Sequence, residues 1–330
     1  MPELSDLWPA FAAALCALAA MRPAEALGRR LGLVDRPGGA LKIHAEPTPR
    51  SGGVALLAGL LVAALVGWAL DHPLLNQREA AVGLLLFGLG AWDDKSPRSP
   101  KLRMVLQVAI YLFGYAVGLR AHPGWPAWGV FLSGLIWFVV VVNAANFYDG
   151  MDGLLSLTAL AAFAVWGAAA GSLGIAPALT LAAAGALAGF LPRNWHPGRI
   201  FLGDGGSFLV GFMFYMTLVR GAEGGFGPVP GLLIAALPVC DAGAATLDRI
   251  ARRTNVWTGD RDHLYDIMAR LGLRPRSIAL LLGLLSGLCA LTAVVVAPLG
   301  TAVRWVTVVA VYVLFTAVVL AMRRRYRVGG

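Results

Sequence analysis

The sequence predicts an all-α polytopic membrane helix bundle of about 10–11 transmembrane helices in a single domain, 1–330. Three observations carry that reading. Of the 330 residues, 58% are hydrophobic and 14% charged, with a mean hydropathy of +0.72; soluble domains average about 25% charged. The apolar residues gather into about eleven segments of roughly the length that crosses a bilayer. The basic residues sort strongly between the alternating connections. A soluble core has no room for so much apolar surface, and disorder needs low hydrophobicity. The 41 glycines show no Gly-X-Y period, which excludes a collagen-like chain.

The first segment, 7–21, follows Glu3 and Asp6 with no basic stretch before it. It is therefore expected to be a span and not a cleaved leader. Segments 54–70, 80–92, 104–119, 127–143, 154–171 and 174–191 follow, with 80–92 the shortest. Ser99-Pro100 before the fourth has the form of a helix start. The eighth, 206–219, is entered through a Gly-rich turn, and 229–246, 278–297 and 303–322 complete the set. None alternates with period two, which argues against a barrel. Cys16, Cys240 and Cys289 all lie inside apolar stretches without CxxC or Cys/His spacing, so neither a disulfide framework nor a zinc site is indicated.

With odd-even parity, 23 of the 27 Lys and Arg fall on one side. Only Arg78, Arg120, Arg220 and Arg304 fall on the other. The positive-inside rule makes the rich side cytoplasmic and puts the N-terminus outside. This places the net charge of +9 at a membrane surface; no nucleic acid is expected. Most acidic residues crowd onto the same face, a bias that orientation does not require.

That face holds the groups able to do chemistry. Asp93-Asp94-Lys95 ends the third segment. Adjacent carboxylates become favourable beside a divalent cation or as acid/base groups; a hydrated span end neutralised by Lys95 is the alternative. Lys101 follows at a helix start, where anions are favoured. Asn143, Asn146, Asp149 and Asp152 step by three, a wall of amides and carboxylates on one helical face, with polar packing as the alternative. Asp204 sits in the turn Gly203-Asp204-Gly205-Gly206-Ser207, whose backbone N–H groups would face an anion and whose Ser207 reads as an N-cap. Asp241 lies inside the ninth segment and is expected to pair with a neighbouring helix. His44, His196 and His263 stand singly.

These blocks together resemble the polyprenyl-phosphate N-acetylhexosamine-1-phosphate transferases, the glycosyltransferase family 4 enzymes of the GlcNAc-1-phosphate branch. The likeness runs from about Asp35 to Leu271: DRPGG, KIH, PTPRSGG, GAWDDK, SPKL, NAANFYDGMDGL, RNWHPGRIFLGDGGS and, more loosely, DRDHL. It implies a bundle with a cytoplasmic active site in the cell (plasma or inner) membrane. Asp93 and Asp94 match the catalytic pair and Asp204 the Mg²⁺ aspartate, with Mn²⁺ as a substitute metal. Asn143, Asn146, Asp149 and Asp152 match the nucleotide region, and Lys101 the phosphate site, where Arg261 would add charge. Lys42 and His44 belong to the matching first loop. The implied partners are a UDP-N-acetylhexosamine, a polyprenyl phosphate and the bilayer; a homodimer is compatible. The implied reaction gives polyprenyl-diphospho-sugar and UMP. A phospho-N-acetylmuramoyl-pentapeptide transferase and a secondary transporter are the alternatives. One departure stands out. The family's HxHH run is here His263-Leu264-Tyr265-Asp266, which leads to the expectation that plain UDP-GlcNAc is not the best donor.

Overall fold

The structure is a computed structural model that describes residues 4–36, 46–119, 126–257 and 262–326. Lys42, His44 and Arg261 lie outside the described residues. Thirteen helices are present among them: α1 (Leu4–Leu31), α2 (Gly52–Ala69), α3 (Gln77–Lys95), α4 (Pro100–Ala116), α5 (Ala127–Tyr148), α6 (Leu154–Ala170), α7 (Ala178–Asn194), α8 (Gly203–Glu223), α9 (Val229–Ile234), α10 (Ala236–Ala251), α11 (Leu264–Arg270), α12 (Pro275–Val296) and α13 (Thr301–Tyr326). Among the described residues the only sheet is a two-residue ladder in which β1 (Val34–Asp35) pairs antiparallel with β2 (Thr48–Pro49).

Every apolar segment is helical. By length and composition alone, α1, α2, α5, α6, α12 and α13 each suffice to cross a membrane. The other segments carry charged ends or are short. The ninth is broken at Ala235 into α9 and α10. The bundle's outer surface is apolar: Trp68, Val306, Val313 and Leu314 are each more than 60% exposed. That surface suits lipid, where no water drives side chains inward. The chain is a multi-pass membrane protein.

α8 is the central post. Nearly every residue from Gly203 to Ala222 is buried, as expected of a helix that is apolar all round. α3 is fastened to it at both ends. At the far end Asn76 caps α3 by accepting from the N–H of Glu79, and the buried Glu79 carboxylate takes Arg220 of α8 at 2.8 Å. At the near end a Cβ on Gly90 would lie 2.5 Å from the backbone nitrogen of Gly205, so the two backbones touch. α5 is equally close: a Cβ on Gly211 would lie 2.6 Å from Cα of Val142. Small residues at helix crossings allow this approach.

Candidate active site

The near ends of α3, α4, α5 and α8 converge, and with them four of the aspartates. Ser99 caps α4 by accepting from Leu102 N–H, with Pro100 at the first helical position, as the sequence predicted. This start aims Arg103 into the cluster. Its Nη1 donates to Oδ2 of Asp93 at 3.0 Å and to Oδ2 of Asp204 at 3.2 Å. Asp93 also accepts from the backbone N–H of Arg98 at 2.6 Å, so both its oxygens are engaged. Asp204 takes Asn146 Nδ2 on its other oxygen at 2.8 Å, and the same amide donates to Ser207 Oγ at 3.0 Å.

Asp94 accepts the backbone N–H of Gly205 at 3.1 Å through Oδ2. Its Oδ1 is buried with no hydrogen-bond partner among the described residues. Gly203, at φ +75°, turns the chain into α8 where a Cβ would lie 2.7 Å from Asp94 Oδ2; only glycine fits there. Thus the N–H groups that the Gly-rich turn was expected to offer an external anion face a carboxylate of the protein itself. Ser207 is not the N-cap either, because α8 already begins at Gly203.

The PTPRSGG block braces this turn. Gly52 and Gly53 donate to the carbonyls of Phe201 and Leu202, and Phe201 N–H to the carbonyl of Pro49. A Cβ on Gly53 would lie 2.5 Å from the nitrogen of Gly206, so two Gly-rich stretches far apart in sequence are backbone neighbours.

Crowded carboxyls hold their protons. Burial pushes Asp94 up to about 6, against the N–H groups of Asp204 and Gly205 and the charge of Arg50. Asp204 is pushed to about 7 by burial, then by its hydrogen-bond contact with Asp93 and the charge of Asp94; Asn146 and Arg103 pull the other way. Asp149 is raised well above the usual carboxylate range by burial and by the charges of Asp204 and Asp94.

The Asn/Asp run does not stay on one face. α5 ends at Tyr148, and Gly153 at φ +72° starts α6. Asn143 and Asn146 remain on α5, where Asn143 Nδ2 donates to Gln107 Oε1 at 2.5 Å. Asp149 turns into the cluster. Asp152 instead receives the N–H of Gly198 at 2.9 Å, with Nδ1 of His196 also at 2.9 Å. Asn194 completes this loop: it takes Gly153 N–H and Ser156 Oγ–H on one oxygen and donates to the carbonyl of Ile200.

The 262–266 segment is pinned from two helices. Asp241 pairs with a neighbouring helix as expected, at the start of α11: Oδ2 lies 2.7 Å from His263 Nδ1 and Oδ1 takes Leu264 N–H at 2.9 Å. Tyr265 is 4% exposed and donates its hydroxyl to the carbonyl of Phe147 at 3.1 Å. Its ring stacks on His263 at 5.5 Å and fills the space a Cβ on Gly150 would need. Asp266 is 8% exposed. Both departures from HxHH are therefore buried, and Tyr265 packs directly on His263. Lys101 Nζ lies 6.0 Å from the ring centre of Trp257.

Sequence reasoning passed over Arg103 and Gln107 as site residues. A signal existed: 103, 107 and 111 form an i, i+4, i+8 polar stripe on the apolar α4. Arg50 and Asn194 stand inside the PTPRSGG and RNWHPGRIFLGDGGS blocks, but nothing in those blocks singled out either residue.

The family model of glycosyl transferase family 4 matches residues 79–222, which contain all of these clustered aspartates. A putative glycosyltransferase of Streptomyces coelicolor is 35% identical over 86% of this chain and 67% of its own length. The chain belongs to glycosyl transferase family 4. It is also similar to a probable undecaprenyl-phosphate N-acetylglucosaminyl 1-phosphate transferase of Bacillus subtilis, at 27% identity over 86% of this chain and 82% of that protein. A decaprenyl-phosphate N-acetylglucosaminephosphotransferase of Mycobacterium tuberculosis is 28% identical over 84% of this chain and 79% of its own.

The donor set of this family 4 chain fits a divalent cation of the magnesium kind. Among the described residues no three acidic, His or Cys side chains form a closed metal cage. Mg²⁺ does not need one, since it takes one or two carboxylates and completes its shell with water and substrate phosphates. Asp204 and Asp149 are hard oxygen donors, and the charge of Asp204 helps raise Asp149; Asp94 Oδ1 is an orphaned acceptor whose charge also acts on both.

Proposed function

We propose that this chain transfers an N-acetylhexosamine-1-phosphate from a UDP-sugar to a polyprenyl phosphate at the cytoplasmic face of the membrane, releasing UMP. The observation that carries the reading is the convergence of Asp93, Asp94, Asp149 and Asp204 with Arg103 at helix ends on the basic side of an apolar bundle. The names of the relatives support the acceptor class and favour N-acetylglucosamine as the sugar. The 23-to-4 split of basic residues supports the cytoplasmic side.

An oxygen of the acceptor phosphate attacks the β-phosphorus of the donor. A new P–O–P linkage forms, and the bond from that phosphorus to the bridging oxygen of UMP breaks. The protein's work in such a transfer is alignment and charge neutralisation. Asp94 Oδ1, unpartnered and raised to about 6, suits removal of the acceptor's last proton, whose own pKa is about 6. Asp204, with Asp149, would hold Mg²⁺ or Mn²⁺, which supplies positive charge to the diphosphate. Arg103 and Arg50 add charge from the protein, and Lys101 and Arg261 are further cations for the phosphates. Asn143 and Asn146 spend their Nδ2 donors within the protein and would offer the nucleotide their side-chain oxygens. A groove of about 470 Å³ between α3 and α4, lined by Leu84, Leu85, Leu89, Trp92, Ile110 and Phe113 among others, reaches Trp92, the residue before Asp93, and would give the isoprenoid tail an apolar seat.

The test is a donor panel. Membranes holding the protein receive polyprenyl phosphate, Mg²⁺ and single UDP-sugars, and lipid-linked product and UMP are measured. UDP-GlcNAc is expected to give both in equal amounts, and Asp204→Asn to abolish them. Product from no UDP-sugar, or sealed proteoliposomes that accumulate intact UDP-sugar, would overturn the reading in favour of transport.

A further inference from the structure

Away from the carboxylate cluster, a cavity of about 350 Å³ opens between α10 and α13, lined by Leu247, Asp248, Ala251, Arg252, Leu320 and Arg324. Its walls are apolar and reach the lipid-facing surface, where Leu247 is 51% and Ile250 58% exposed. Its rim is cationic. Asp248 is already shared: Arg323 Nη2 lies 3.5 Å and Arg252 Nη1 3.9 Å from its Oδ2. Arg324 is exposed and has no ion pair or hydrogen bond among the described residues. The pocket therefore carries surplus positive charge directly above an apolar wall, at the cytoplasmic boundary.

We infer that this pocket binds one anionic glycerophospholipid, its phosphate between Arg252 and Arg324 and an acyl chain along Leu247 and Leu320. Basic pockets between helices on this side of a membrane take phosphate headgroups, and a soluble anion would gain nothing from the apolar walls. The site bears on the transferase loop. Arg323, next in sequence to Arg324, is fully buried and donates to the backbone carbonyl of Asp262 at 2.6 Å. Asp262 also takes Arg270 Nη2 at 2.9 Å and directly precedes His263. An occupied pocket holds the end of α13, and through Arg323 the 262–266 segment, in place.

The full chain in detergent would be titrated separately with phosphatidylglycerol, phosphatidylcholine and polyprenyl phosphate, and bound lipids counted by native mass spectrometry. One phosphatidylglycerol should bind in preference to phosphatidylcholine. Arg252→Gln with Arg324→Gln should weaken it about 30-fold, which at tenfold per 1.4 kcal/mol is about 2 kcal/mol, the sum for two arginines near a membrane surface. Arg324→Gln alone, on an exposed residue, should weaken it about 5-fold and keeps the test available if the double variant unfolds. Leu247→Trp, which fills the cavity, should remove the bound lipid without changing the melting temperature. Equal binding of both phospholipids, or variants that bind as the wild type does, would overturn the proposal. Displacement of phosphatidylglycerol by one equivalent of polyprenyl phosphate would overturn it too, by assigning the pocket to the acceptor. None of these readouts depends on turnover.

Discussion

Gly90→Ala tests whether the contact of α3 with α8 sets the geometry of the aspartates. A Cβ at position 90 would lie 2.5 Å from the backbone nitrogen of Gly205, where ordinary contact begins at 3.4 Å. Backbone on both sides leaves no flexible side chain to give way, so the helices must part by about 1 Å at this level. Asp94 is four residues along α3, and its Oδ2 bond to Gly205 N–H is 3.1 Å long; a further ~1 Å breaks it. Overpacking of this kind costs about 1–3 kcal/mol of stability, and misplacing reacting groups by about 1 Å costs on the order of 10²-fold in rate. Gly88→Ala is the matched control. Position 88 lies on the same helix, and a Cβ there meets nothing within 4 Å, so alanine should stabilise the helix by about 0.5–1 kcal/mol. Purified variants would be compared by melting temperature and by kcat and KM for product formation. The expected pattern is a fall in kcat of about 100-fold for Gly90→Ala, with donor KM changed far less, and wild-type turnover for Gly88→Ala. If both variants turn over alike, the α3–α8 contact does not set the site.

The raised carboxyls predict a pH dependence. Asp94 and Asp204 keep their protons up to about 6 and about 7 when folded, but only to about 4 when unfolded. The native state therefore binds more protons in that window, and stability present below about pH 4 is lost as pH rises to about 7. Melting temperature in chelator should fall from about pH 5 to 8 and flatten with added Mg²⁺; a rise in chelator would refute the assignment. Gly88→Trp, placed where a side chain meets open space beside the α3–α4 groove, should raise KM for polyprenyl phosphate at least about 10-fold and leave donor KM unchanged. Equal effects on both substrates would remove the groove from the acceptor path. Tyr265→Phe loses the hydroxyl on Phe147, a bond worth about 1 kcal/mol. Donor KM should rise about 5-fold with kcat nearly kept, and an unchanged KM would mean the 147–150 turn holds without it.

Helices were legible because bilayer-length apolar runs have few alternatives, and Ser99-Pro100 announced α4 by local chemistry alone. The break at Ala235 was not read from the apolar run 229–246, although Pro238, which has no N–H to give the carbonyl of Ile234, stands three residues beyond it. The clustering of Asp93, Asp94, Asp149 and Asp204 followed from the shared basic face. Their individual bonds did not follow. Asp152 and Asp241 read like their neighbours in sequence, yet one holds the 196–198 turn and the other His263. Those partners lie 46 and 22 residues away, and separation of that kind leaves no periodic trace. Arg103 was hidden for the opposite reason: on a face rich in arginine, one more looked like surface charge until Asp93 and Asp204 were seen on the same nitrogen.

The fastening of α3 to α8 at both ends has a consequence for how the protein meets bilayers of different thickness. The two helices have 19 and 21 residues, about 28 and 32 Å at the usual rise, close to the ~30 Å of a hydrocarbon core. Joined at Glu79–Arg220 and again at Gly90–Gly205, they tilt as one body, so mismatch does not shear Asp94 from Asp204. The acceptor's phosphate has no such tether; its depth follows the headgroup plane of the leaflet. Thickening or thinning the membrane therefore changes the height at which substrate is presented to a site of constant shape. Lipid thickness should register as a change in acceptor KM while kcat holds, making this a catalyst that senses its membrane through the position of its substrate.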